Sequence, residues 1–222
     1  MNYSLLTQSL LFRGTTESEA EAMLHCLDAH IKNYAKGQTV YSAGETVECM
    51  GFVLSGSVNI ENDDIWGNKS ILDHAEAGQI FAETYACIPG EPLMVSVTAT
   101  EKTEILFLNA AKLLQTCSTA CAYHHRLIRN LLQISARKNL NLSRRILHTS
   151  SKSIRGRLLS YFSQQVMQNG SRQFTIPFDR QQLADYLGVD RSAMSNELSK
   201  MRQEGILTFR KNYFSLNQDD LS

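Results

Sequence analysis

Long apolar runs are missing from this chain of 222 residues, so no stretch of it can cross a bilayer. The start, MNYSLLTQSLLFRG, lacks the basic segment, apolar core and small-residue cleavage site of a secretory signal. These absences point to a cytoplasmic protein with no membrane partner. Paired cysteines are missing too. The five present, Cys26, Cys49, Cys87, Cys117 and Cys121, are odd in number and lack the spacing of a secreted disulfide scaffold, so reduced thiols are expected. Acid is absent from one long segment: residues 105–178 carry eleven Lys/Arg and no Asp/Glu. Residues 1–104 carry five and fifteen, and residues 179–222 carry six and seven, so a formal net charge of zero hides an acidic first half and a basic middle. Such asymmetry points to a nucleic-acid partner.

What is present reads as several pieces. In TESEAEAMLHCL, Thr16 can cap a helix with Glu19 as its reciprocal partner, and Met23, Leu24 and Leu27 form the buried face. From Gln38 to about Leu108 the texture changes to short β-branched and aromatic runs, TVY, FVLS, SVNI, SILD, VSVTAT and EILFL. Glycines at 37, 44, 56, 67, 78 and 90 punctuate them. This predicts an all-β domain wrapped as a barrel or jelly roll. Metal-dependent cupin enzymes share that wrap but need converging His and Glu ligands. This region offers only His74, which argues against a metal site and against an enzyme. His124 and His125 are adjacent and point to different helix faces.

Asn109 opens a helical region, and from Ala120 to about Leu147 there is neither Gly nor Pro. Leu127, Leu131 and Ile134 make one apolar stripe. Ile128, Leu132, Ser135, Asn139, Leu142 and Ile146 make a second, at alternating spacings of four and three. A helix with two such stripes needs two neighbours. The second stripe has coiled-coil rhythm, with Asn139 as a register-setting seam residue, and predicts a parallel homodimer; the first is expected to pack on the β-domain. HTSSKS at 148–153 reads as a hinge, with Ser153 capping the helix SIRGRLLSYFSQQVMQ.

Residues 179–202, DRQQLADYLGVDRSAMSNELSKMR, hold two short helical patterns. Leu183, Ala184 and Leu187 share one face of the first, and Met194, Leu198 and Met201 share one face of the second. Gly188 can turn the chain in the left-handed conformation, and Asp179 and Asp190 are placed as N-caps, Asp179 with Gln182 as its partner. This is a helix-turn-helix. The second helix keeps a spare polar face of Arg191, Ser192, Ser195, Asn196 and Ser199. FTIPF before it reads as a short strand, and ILTFR and NYFSL after it, separated by Lys211, as a hairpin. Together these make a winged helix. The fold class is α+β: a double-stranded β-helix (jelly-roll-like) domain over 1–119, a dimerisation helix and hinge over 120–149, and a winged helix-turn-helix over 150–222.

In order along the chain, KGQTVYSAGE, MGFVLSGSVNI, AGQIFAE, the long helix, SIRGRLLSYF and FDRQQLADYLGVDRSAMSNELSKMRQEGIL resemble the Crp/Fnr family of bacterial transcription regulators over nearly the whole length. The resemblance implies a homodimer whose β-domain binds an effector near the central helices and whose winged helices enter successive major grooves of double-stranded DNA, with RNA polymerase as a further partner. By position against the family motif, Arg180, Gln181, Arg210 and Lys211 face phosphates, and Arg191, Ser192, Ser195 and Asn196 face base edges. The family commonly has Glu where this chain has Ser192, and Arg where it has Asn196, so a different half-site is expected. A carboxamide at 196 can pair with adenine N6 and N7.

Cyclic-AMP-binding members of the family place an acidic residue for the ribose and an Arg-Ser pair for the cyclic phosphate within the stretch that reads FAETYACIPGEPLMVSVTA here. Glu83 keeps the first, but the pair falls at about Leu93 and Met94, which offer a phosphate neither charge nor hydrogen bond. Cyclic AMP is therefore not the expected effector. The remaining lining, Phe81, Glu83, Thr84, Tyr85, Leu93, Met94 and Leu142, suits a small, largely apolar or aromatic metabolite. The amino-terminal cysteine cluster of the family's iron-sulfur members is missing, and no cofactor is assigned. Cys117 and Cys121 share a helical face, which keeps a thiol-based redox sensor of the same fold as the alternative.

Overall fold

The computed structural model describes residues 3–63, 69–114 and 122–217, which fall into two units, Met1–Ala136 and Arg137–Ser222. In the first, α1 (Tyr3–Gln8) and α2 (Glu17–Cys26) precede the strands. Thr16 and Glu19 close the expected reciprocal cap at the start of α2, whose Ala20, Met23 and Leu24 are buried. Helix α1 went unread in the sequence because it is six residues long and has no apolar period of its own. It forms where Leu6, Leu11 and Phe12 sink into the core shared with α2.

The strands are β1 (His30–Tyr34), β2 (Thr39–Tyr41), β3 (Cys49–Ser55), β4 (Ser57–Asp63), β5 (Lys69–Glu76) and β6 (Ile80–Phe81). After the one-turn helix α3 (Glu83–Ala86) come β7 (Ser96–Ala99) and β8 (Thr103–Asn109), then α4 (Ala110–Leu114) and the long α5 (Ala122–Thr149). They pair antiparallel in two four-stranded sheets, β1-β8-β3-β6 and β2-β7-β4-β5. Alternation along β8 shows how both faces are used. Ile105 and Phe107 join Val53, Val58, Phe81, Val97 and Ala99 between the sheets. Leu106 and Leu108 join Met50, Phe52 and the helices on the outer face, where Leu127 and Leu131 of α5 are buried. Strand β1 begins ahead of the region read as β, because its HIKNY is polar and exposed at an edge and carries no alternation.

In the second unit, the end of α5 is followed by α6 (Ile154–Asn169), β9 (Gln173–Thr175), α7 (Arg180–Leu187), α8 (Arg191–Gln203), β10 (Leu207–Arg210) and β11 (Tyr213–Leu216). The three strands form one sheet, β10-β11-β9. Leu158, Phe162, Leu183, Leu187, Met194, Leu198, Met201, Leu207 and Phe214 make the core of this winged helix. The segment read as a hinge is fastened. His148 is buried against Tyr161 and Tyr186, its Nδ1 is 3.0 Å from the Ser160 hydroxyl, and its Nε2 meets Gln164. Arg157 Nε donates to the Ser151 carbonyl at 2.8 Å, and the Ser153 hydroxyl accepts from the Gly156 amide at 3.0 Å.

Candidate nucleic-acid interface

Capping fixes the start of both helices of the motif. The Asp179 carboxylate accepts from the Gln182 amide and the Gln182 side chain accepts from the Asp179 amide, both at 2.8 Å. Gly188 ends α7 in the left-handed region, φ 63 and ψ 47. Asp190 then accepts from the Ala193 amide at 2.8 Å and from the Ser192 hydroxyl at 2.5 Å. The Ser192 hydroxyl, and after it the Ala193 amide, hold the Asp190 carboxyl below its ordinary range. Met194, Leu198 and Met201 are buried, which turns Arg191, Ser192 and Asn196 outward. Ser195 is half-buried, and Ser199 donates back to its carbonyl at 2.9 Å. Of the four residues named as base readers, Ser192 is thus tied to its own cap, while Arg191 and Asn196 have no side-chain hydrogen bond or ion pair among the described residues.

The turn itself is held by arginines of the acid-free segment. Arg157 donates to the carbonyls of Leu187 and Gly188, both at 2.9 Å. Arg145 donates to those of Asp185 and Tyr186, both at 3.1 Å. Two cations therefore cover four consecutive carbonyls at the end of α7, where the helix dipole is negative. Arg155 forks onto Glu204 at 2.7 and 2.8 Å and reaches Glu197 at 2.5 Å, tying α6 to α8. Arg126 meets Glu19 at 3.2 Å and the Gly14 carbonyl, and Arg172 meets the Asn217 carbonyl at 2.9 Å. Much of the charge of the acid-free segment is spent inside the protein. A residue count cannot show this, because backbone carbonyls are invisible to it.

The wing turns at Lys211, a non-glycine residue at φ 54. Asn212 braces it: its side chain donates to the Ile176 carbonyl at 3.1 Å, and its own carbonyl accepts from the Ile176 amide at 2.9 Å. Between the wing tip and α7 lies a cleft of about 640 Å3 whose lining includes Arg180, Gln181, Arg191 and Lys211. The cleft thus brings together three of the residues expected on phosphate, Arg180, Gln181 and Lys211, with Arg191, which was expected on a base edge. Arg210 is exposed on the wing outside that lining, and Gln181 donates to Asp185 at 2.8 Å. Arg180 is half-buried, its guanidinium 4.7 Å from the ring centre of Phe209 and 5.0 Å from that of Phe214, and burial lowers its pKa.

In the β-unit, Phe81, Glu83 and Leu93 are buried, Tyr85 is half-buried, and Thr84 and Met94 are exposed, Met94 to 74%. Phe81 belongs to the core between the sheets, with Tyr41 edge-on at 6.2 Å. A concavity of about 630 Å3 beside β1 is lined by another set, including His30, Lys32, Tyr41 and Glu45. On α5, Leu132, Leu142 and Ile146 are 68, 61 and 67% exposed, Asn139 is exposed and Ser135 is half-buried; Ile128 packs partly on the core. Burial first, then nearby Glu48 and Glu83 respectively, pushes the Cys49 and Cys87 thiols up. Cys117 and Cys121 lie outside the described residues. Among the described residues no group of three metal-ligating side chains forms and no helix is long and apolar enough to cross a membrane.

Comparison with known proteins matches both halves. The cyclic nucleotide-binding domain family matches residues 31–120, and the Crp-like helix-turn-helix domain family matches residues 156–222. The cAMP-activated global transcriptional regulator CRP of Haemophilus influenzae is 23% identical over 197 residues, which is 83% of this chain and 81% of that protein. The catabolite activator protein of Thermus thermophilus superposes with a TM-score of 0.52 at 20% identity, covering 94% of each chain. The c-di-GMP-responsive global regulator CLP of Xanthomonas campestris gives 0.59 at 17%, covering 91% of this chain and 100% of its own. CprK complexed with OCPA gives 0.64 at 18%, covering 89% and 91%. Regulators with a Crp-like helix-turn-helix bind DNA and act as dimers. A cyclic-nucleotide-binding type of β-roll joined through a long helix to a Crp-like helix-turn-helix makes this chain a member of the Crp/Fnr family of transcription regulators.

Proposed function

We propose that two copies of this chain, joined along the second stripe of α5, bind a two-fold-related DNA site and regulate transcription in response to a small molecule other than cyclic AMP. Each copy contributes the three parts read from the sequence: an effector domain over 1–119, a dimer helix over 120–149 and a DNA-binding domain over 150–222. Helix α8 enters the major groove with Arg191 and Asn196 toward base edges, while Lys211 and Arg210 of the wing meet phosphates. The observation that carries this reading is the outward face of α8: Arg191 and Asn196 are exposed with no partner among the described residues, on a helix whose other side is locked into the core. Bound RNA polymerase completes the reading as a transcription regulator.

The effector reading rests on Leu93 and Met94, one buried and one exposed, neither able to hold a phosphate. Burial pushes the Cys49 and Cys87 thiols up, while the redox alternative rests on Cys117 and Cys121, which lie outside the described residues.

Selection of bound duplexes from a random pool by the purified chain tests the DNA reading. The expected result is a palindrome with half-site centres about 34 Å apart, one duplex turn. Repeating it with Asn196→Ala relaxes one base pair per half-site, at a cost of about 1–3 kcal/mol on the best site. Uniform weakening on all sequences would place Asn196 on phosphate instead.

A further inference from the structure

We infer that Arg180 is a positioning residue that fixes the wing through Phe209, and that a phosphate at the cleft is met by Lys211 of the wing. The inference rests on the DNA-binding reading for its consequence, and on the geometry of the winged helix for its cause. Arg180 is the first residue of α7, immediately after the Asp179 cap, so its backbone is among the best-fixed points of the motif. Its guanidinium lies over Phe209 at 4.7 Å and over Phe214 at 5.0 Å, two residues directly opposite each other across the β10–β11 register. Arg202, in the last turn of α8, lies over the Phe209 ring at 5.1 Å. Phe209 is thus tied to a cation from each helix of the motif, and through it the wing is tied to both.

Such ties matter because a two-stranded hairpin has little orientation of its own. β11 is anchored on one side by β9, and Asn212 is anchored by Ile176, but β10 is the free edge of its sheet. Lys211 sits at φ 54, a left-handed conformation that strains a side-chain-bearing residue and persists where its surroundings hold it. The stack on Phe209 and the Asn212 brace are those surroundings, and they deliver the Lys211 ammonium to the cleft already placed.

The stack needs a planar, weakly hydrated cation, which lysine does not supply. A phosphate contact needs mainly charge. Arg180→Lys therefore separates the two roles. In the full-length chain without DNA, hydrogen exchange of the 207–216 amides is expected to quicken about tenfold in Arg180→Lys and in Phe209→Leu, with other amides unchanged; unchanged exchange there would overturn the brace. On the selected duplex, Arg180→Lys is expected to weaken binding about five- to thirtyfold, and to add nothing in a Phe209→Leu background. Lys211→Ala serves as the phosphate benchmark, lowering the salt slope by about one. Wild-type affinity for Arg180→Lys, with Arg180→Ala lowering the salt slope by about one even in the Phe209→Leu chain, would put Arg180 on phosphate. If the wild-type chain selects no duplex, the DNA reading fails while the exchange measurement still decides the brace.

Discussion

Gly51 shows what one missing Cβ does. It sits in the middle of β3, opposite Phe81 of β6, and a Cβ added to it would lie 2.1 Å from the end of the Phe81 ring. The tip of the ring points at the glycine, and the ring fills the space between the sheets together with Tyr41 and Phe107, which are edge-on to each other at 5.7 Å. Burial pushes the Tyr41 phenol up, and its hydroxyl is satisfied by donating to the Cys49 carbonyl at 2.8 Å. Gly51→Ala should therefore overpack the roll and lower stability by about 1–3 kcal/mol in urea unfolding. Adding Phe81→Leu should recover part of that loss, and equal stability of Gly51→Ala and wild type would mean the ring moves aside freely. In the sequence Gly51 stands within MGFVLSG and carries no turn signal. Its reason is a ring thirty residues on, which only the pairing of β3 with β6 brings opposite.

Helix α5 carries the two stripes read from its spacing, and they part except at Ile128, which packs partly on the core. Leu127 and Leu131 are buried on the β-unit, and Leu132, Leu142 and Ile146 face outward. Asn130, between the stripes, went unread: it is buried and donates to the Leu11 and Arg13 carbonyls at 2.8 and 3.0 Å, pinning the chain between α1 and α2. Ile128 is half-buried in the core, so a charge there tests folding as much as assembly. Leu132→Glu is the cleaner variant, because in a single chain the side chain already meets water. In a seam it would bury an unpaired carboxylate at a cost of several kcal/mol. Sedimentation should show monomers of native circular dichroism; a dimer with normal DNA affinity would move the seam elsewhere.

At the scale of the whole molecule, charge segregation and effector choice are the two properties to weigh. The acid-free segment sends Arg155 to Glu197 and Glu204 and Arg126 to Glu19, so acidic and basic stretches far apart in sequence neutralise each other in space. Arg191 of α8 and Lys211 of the wing have no such acidic partner among the described residues. The effector prediction is negative. With Leu93 and Met94 where a cyclic phosphate would need a fork, transfer of that anion from water goes uncompensated by several kcal/mol, more than a hundredfold in affinity. Calorimetric titration of the purified protein with cyclic AMP and cyclic GMP should give no micromolar binding. A micromolar isotherm for either nucleotide would sink this reading of the two positions.

Caps, turns and apolar periods act within a few residues, so the sequence alone determined the Thr16, Ser153, Asp179 and Asp190 caps, the Gly188 turn, the β texture and the double stripe of α5. The family likeness followed from the order of these local signals. Tertiary structure decided what depends on neighbours distant in sequence: the polar edge strand β1, the short helix α1, the ring against Gly51, and above all which cations remain for a ligand. Arg145 and Arg157 go to carbonyls of the turn, and Arg180 goes to the rings of the wing. A guanidinium binds a phosphate, a carboxylate, a carbonyl or an aromatic face with similar readiness, and only packing sets which of them is within reach.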